Sequence, residues 1–167
     1  MNNGITKGLF KAVCKNPDGS VAWEQEFSNG TTDQGRSYML ESAFSTGSQN
    51  GLWYIGLIST SSFGSLSTLD TAASHSGWVE NTSYTEATRR QWSPDTPTSS
   101  AGSTTLTSST PAVFTASAST SVKGAFLTSA SAKSATTGTL WATGVFVSDQ
   151  ALITGQTLSI TYQTSLS

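Results

Sequence analysis

The sequence predicts a mainly β protein: an antiparallel β-sandwich or jelly-roll-like fold with one short helix in its N-terminal half. Three observations carry that expectation. Short runs rich in β-branched residues recur at regular spacing, with glycine between them. Several of these runs alternate apolar with polar residues, the period of a strand with one buried face. Serine and threonine, 30 and 27 of 167 residues, take the place of the Ala, Glu, Lys, Leu and Arg that a helical bundle needs.

The elements follow in chain order. Ile5 to Val13 and Ser20 to Phe27 read as a hairpin around Asn16-Pro17-Asp18-Gly19, where Pro presets φ and Gly accepts the left-handed conformation. Asp33 to Phe44 is the helix. Thr31, Thr32 and Asp33 can cap its free amides, Gly47 can stop it, and its apolar stripe is partial. Leu52 to Ile58 is the most hydrophobic stretch and does not alternate, which suits a strand buried on both faces. Gly56 within it predicts a bulge or the close approach of another backbone. Residues 59–103 read as one long loop region. Its aromatics Phe63, Trp78, Tyr84 and Trp92 imply that it packs. Strands then resume at Thr104–Thr107, Ala112–Ser117, Ser121–Thr128, Thr139–Val147 and Thr157–Thr164. Val122, Gly124 and Phe126, then Val145 and Val147, and then Leu158, Ile160 and Tyr162 are expected to alternate. Leu52-Trp53-x-x-Gly56 is echoed as Leu140-Trp141-x-x-Gly144, as two central strands with similar demands would be. The expected organisation is one domain over 1–167, with a hairpin over 1–30 suited to be an attachment arm.

Composition excludes several functions. Lys plus Arg is 8, scattered, with a formal net charge of -2, a poor match to phosphate-rich nucleic acid. Aromatics at 10%, five of them Trp, argue against disorder. Cys14 is the single cysteine, so no intrachain disulfide is expected; it reads as a small buried hydrophobe. No apolar run approaches a membrane span, and Met1 to Gly4 do not open a secretory leader. The sequons Asn29-Gly-Thr and Asn81-Thr-Ser are therefore read as ordinary turns.

Chemistry is sparse. The one histidine, His75, would need a serine and an orienting acid for nucleophilic catalysis; Asp70 and Glu80 are near only in sequence, and no Gly-x-Ser-x-Gly elbow is present. His75 reads instead as a polar anchor of its loop. Asp70, Glu80, Glu86 and Asp95 are spread too far apart in sequence for a calcium loop, and one His with one Cys cannot make a structural zinc site. No catalytic, cofactor or metal residue is assigned, and the chain is read as a non-enzyme. The distinctive polar stretch is Tyr84 to Trp92, with adjacent Arg89 and Arg90. Either arginine could sit at a subunit interface, or lock internally, as Arg89 to Glu86 or Arg90 over Trp92. Trp53, Trp141 and Phe126 read as core, and Trp78 and Trp92 as interface anchors or a sugar-binding platform. The interface candidates are thus Trp78, Arg89, Arg90 and Trp92.

Longer stretches carry a resemblance. They are Leu52–Ile58, Leu69–Glu80, Tyr84–Arg89 with Trp92, Gly124–Leu127, Thr136–Trp141 and Leu158–Tyr162. In order and spacing they resemble a family of small virion structural proteins of tailed bacteriophages, from about residue 50 onward and more loosely before it. The resemblance implies a capsid cement, or decoration, protein that assembles as a homodimer or homotrimer on the major capsid protein, without nucleic acid or membrane partners. A tail or head-fibre component with a glycan-binding role is the alternative. The implied location is the capsid surface, after synthesis in the host cytoplasm. The family pattern has proline where this chain has Arg90, which removes the expectation of a fixed turn there.

Overall fold

The computed structural model describes residues 7–45, 47 and 49–167. Among these residues eleven strands form a single antiparallel sheet and one helix lies in the N-terminal half; the mainly β class and the helix are as the sequence predicts. The hairpin β1 (Lys7–Lys15) and β2 (Val21–Thr31) precedes α1 (Asp33–Phe44) and β3 (Trp53–Ser59). Three short strands follow, β4 (Glu80–Asn81), β5 (Arg90–Trp92) and β6 (Thr98–Ser100). Then come β7 (Ser103–Thr107), β8 (Ala112–Thr115), β9 (Thr120–Thr128), β10 (Leu140–Leu152) and β11 (Thr157–Leu166). Residues Ile5 and Thr6 of the expected first strand lie outside the described residues.

The sheet order is β4-β3-β9-β10-β2-β1-β11-β7-β6, with β5 also on β3 and β8 also on β11. Its two halves join at a narrow waist: the β10–β2 ladder pairs just Ala142–Gly144 with Asn29–Thr31, and side chains such as Phe27 and Phe146 extend the contact. The halves face each other over a core that draws Ile55, Leu57 and Leu127 from one and Phe10, Phe114 and Ile160 from the other. Trp92 edges onto Tyr162 at 5.4 Å and Tyr84 onto Phe114 at 5.0 Å across that core. Isolated bridges, Tyr84 to Ala116 and Ser93 to Thr110, link the free flanks. The sheet is sandwich-like and is not closed into a barrel.

A second, smaller core lies on the opposite face of β3, β9 and β10. Ile58, Phe126 and Leu140 point there and are covered by Ala72 and Trp78 from the 60–79 segment. This explains the unalternated run in β3: Ile55 and Leu57 belong to one core, Ile58 to the other. Gly56 is required by a close approach, but of an aromatic ring and not a backbone; a Cβ there would collide with Phe126. Gly124 does meet backbone, since a Cβ would strike the Gly144 carbonyl on β10.

Several expectations need correction. The region 59–103 is not all loop, since it contributes β4, β5 and β6. Val122, Gly124 and Phe126 do not share a face, because β9 has an irregularity opposite Ile58 and Ser59 that places Val122 with Ala125 and Leu127. An extra residue in a strand switches which side chains face inward. Likewise β10 pairs Val145 with Gly124 but Gln150 with Val122, so the ladder is interrupted over 146–149; Phe146 stays in the core while Val147 is 90% exposed. Asn29 and Asn81 lie in β2 and β4, not in turns. Asn81 is buried and donates to Thr120 Oγ1 and to the Ser121 carbonyl.

The helix is held by its first turn rather than by an apolar stripe. Thr32 is the N-cap, its hydroxyl accepting from Gly35 N at 3.0 Å and donating to the Leu140 carbonyl. Gln34 Oε1 accepts from Leu140 N at 2.8 Å and Ala72 N at 3.3 Å. Gly35 is the buried residue of α1: a Cβ there would lie 2.5 Å from the Trp141 carbonyl oxygen and 2.9 Å from its Cα. The helix ends at a Ser45 cap, whose amide donates to the Glu41 carbonyl, before Gly47 is reached.

Candidate functional site

Two polar-aromatic constellations stand out. The first surrounds Arg89, on the turn leading into β5. Its Nε and Nη2 grip Glu80 Oε1 and Oε2 bidentately at 2.9 Å each, and its Nη1 donates to the Ala130 carbonyl at 3.0 Å. The two side chains are 4% and 5% exposed. Ser134 N donates to Glu80 Oε2, and the guanidinium lies 5.0 Å from the Phe126 ring centroid. The pair therefore pins the 129–139 connection to β4 and β5. Planar, charge-assisted pairing of this kind satisfies buried charges that would otherwise be costly.

Beside it, Trp78 fills the second core. Its indole N–H donates to Asp70 Oδ2 at 2.9 Å, and the His75 ring stacks on it at 3.9 Å. His75 Nδ1 lies 3.0 Å from the Trp78 carbonyl. His75 thus anchors its loop, with no serine hydroxyl among the hydrogen-bond partners described for it. The acids are engaged separately: Glu86 accepts from Thr115 N, and Asp95 from Ser109 N and Oγ. Among the described residues, no three His, Cys, Asp or Glu side chains are placed to hold a metal.

Three of the four interface candidates are consequently interior. Trp78, Arg89 and Trp92 are buried, Arg89 on Glu80 rather than on Glu86, and Trp92 donates to the Tyr162 carbonyl at 3.2 Å. Buried side chains offer a partner little surface. Arg90 alone of the four is exposed, as its position on the outward face of β5 requires.

The second constellation is a groove between α1 and the sheet. Its floor is Trp53, Trp92, Trp141 and Leu127; Tyr38 and Met39 of α1 form one wall and Leu106 of β7 the other, around about 380 Å³. A second hollow of about 200 Å³ continues it past Pro97 and Leu166, sharing Met39, Leu106, Trp141 and Thr164. Trp53 stands edge-on to both Trp141, at 6.0 Å, and Tyr38, at 5.3 Å. The Tyr38 hydroxyl accepts from Asn50 N at 2.6 Å, which fixes the far lip. Trp141 Nε1 donates to the Tyr162 hydroxyl at 3.0 Å, so its polar atom is turned inward. Burial pushes that phenol up to about 12, partly offset by the hydrogen bond from Trp141.

The groove was visible in the sequence only as the Leu-Trp-x-x-Gly echo. That echo sets Trp53 and Trp141 on β3 and β10, either side of β9, where both remain partly exposed rather than sealed in the core. Comparison with protein-family models, with curated proteins and with solved structures finds no match.

Proposed function

We propose that the chain is a virion structural protein of a tailed bacteriophage, a cement protein that binds and stabilises the assembled head as a homodimer or homotrimer on the major capsid protein. The observation that carries this reading is the apolar surface of α1. Leu40 and Phe44, one helical turn apart, are 56% and 87% exposed on a chain with few charges. Exposed apolar residues that adjoin one another, rather than standing singly, fit a protein contact. Full burial of such a side chain contributes about 1.5–3 kcal/mol, and a symmetric oligomer repeats the contact on the lattice. The sequence resemblance supports the same reading, as does a surface of neutral hydroxyls that can form many hydrogen bonds at low desolvation cost.

Purified chain should bind assembled capsids and not free capsid subunits, and Phe44→Ser should weaken that binding without changing the melting temperature. Particles lacking the chain should lose resistance to heat and osmotic shock; unchanged resistance would reject cementing. The rival reading, a tail or head-fibre component, predicts labelling at the tail or on fibres alone. No helix among the described residues is long and apolar enough to cross a membrane.

A further inference from the structure

We infer that the groove between α1 and the sheet is a binding site for a neutral oligosaccharide. The inference rests on the groove alone and does not depend on the capsid reading. Four features of the groove define the ligand.

The first is charge. No Asp, Glu, Lys, Arg or His among the described residues lines either part of the groove. An ionic ligand would lose its hydration there with nothing to replace it. The second is the floor. Trp53 and Trp141, both partly exposed, present ring surface above the buried Trp92, while the indole N–H groups of Trp92 and Trp141 are occupied inward. Flat aromatic carbon of this kind matches the C–H face of a pyranose ring.

The third is the polar lining. Gln49, Asn50, Ser42 and Thr164 border the aromatic floor. Ser42 Oγ is buried and lacks a hydrogen-bond partner among the described residues. A buried polar atom without a partner costs about 1–3 kcal/mol. An aliphatic occupant would leave it unpaired, whereas a sugar hydroxyl can both donate to it and accept from it. The ligand is therefore amphipathic: carbon on one face, neutral hydroxyls at the edge. The fourth is extent. The main hollow falls in the range of small-molecule sites, and its continuation past Trp141 supplies a second subsite. More than one sugar ring is accommodated.

The test titrates the full chain with neutral trisaccharides (maltotriose, cellotriose and N-acetylated chitotriose) and with sialyllactose, following tryptophan fluorescence and calorimetry. At least one neutral trisaccharide should bind with Kd at or below about 1 mM. Its affinity should hold within twofold between about 0.05 and 0.5 M salt, because no charge is involved. The corresponding monosaccharide should bind at least tenfold more weakly. Ala43→Trp, at an exposed position on the groove wall, should block binding while leaving the melting temperature in place, and Ser42→Ala should weaken it several-fold. The inference is overturned if no neutral trisaccharide binds, if only sialyllactose binds, if Ala43→Trp binds as the parent does, or if the groove takes apolar peptides in place of sugars.

Discussion

Glu80→Gln should be the most costly conservative change in this chain. Glutamine keeps the shape of Glu80 but removes its charge and turns an amide N–H₂ toward one guanidinium nitrogen. Arg89 would then remain buried, 5% exposed as a residue, with two of its donors no longer facing carboxylate oxygens. Removing one partner of a buried ion pair costs about 3–5 kcal/mol, because the other charge is left uncompensated. For a chain of this size that lowers the melting temperature by about 6–20 °C. With a urea m-value of about 2 kcal/mol/M, the midpoint moves by about 1.5–2.5 M. Arg89→Met should cost a similar amount, part of it from the Ala130 carbonyl left without its donor. The double variant should fall short of the sum by more than about 2 kcal/mol, since it no longer buries a lone charge. Urea unfolding of the parent, both single variants and the double variant measures all of this. If Glu80→Gln costs less than about 1 kcal/mol, or if the singles add, the pair behaves as an exposed one and the account of the 129–139 lock is wrong.

Three further outcomes follow from the same structure. Gly35→Ala should destabilise by about 1–3 kcal/mol in thermal melts, the reverse of the usual gain in a helix, because the added carbon meets the Trp141 backbone; a gain would mean that α1 does not dock there. Tyr84→Phe should be neutral or stabilising by up to about 1 kcal/mol in urea, since its buried hydroxyl has no partner among the described residues. Stability should fall as pH rises through the alkaline range: burial raises Cys14 from 9.0 to about 11 and Tyr162 from 10.0 to about 12, so the unfolded chain loses these protons first. Their contribution is complete below pH 9 and is lost as pH climbs through those folded values; a denaturation midpoint that does not move between pH 9 and 11 would refute it.

Local signals predicted the elements well where one residue type dictates the backbone. The Asn16–Gly19 turn, the helix from Asp33 to Phe44 and the alternation of Leu158, Ile160 and Tyr162 all appear as expected. The misreadings arise where a tertiary neighbour decides. Whether Val122 shares a face with Phe126 depends on an irregularity in pairing with β3, which leaves no local mark in Ser121-Val122-Lys123-Gly124. Sequence distance pointed Arg89 to the nearby Glu86; the strand pairing of β4 and β5 with β3 brings the more distant Glu80 into reach instead. The aromatic groove required knowing that β3 and β10 flank β9, so the repeated Leu-Trp-x-x-Gly pattern signalled likeness of the strands without signalling that they share a site.

The attachment of α1 explains how one element can serve both surfaces. Its N-terminal turn is fixed by Thr32, Gln34 and Gly35 against β10, through hydrogen bonds and a backbone contact that tolerate little displacement. That anchoring frees the remaining turns from contributing large side chains to the core. Tyr38 and Met39 can then wall the groove while Leu40 and Phe44 face solvent. A conventional amphipathic helix would have spent its apolar stripe on the core and left neither surface. The polar tether at one end is thus the structural condition for an exposed apolar face at the other, and Gly35→Ala should disturb both faces together because it acts on the point from which both are positioned.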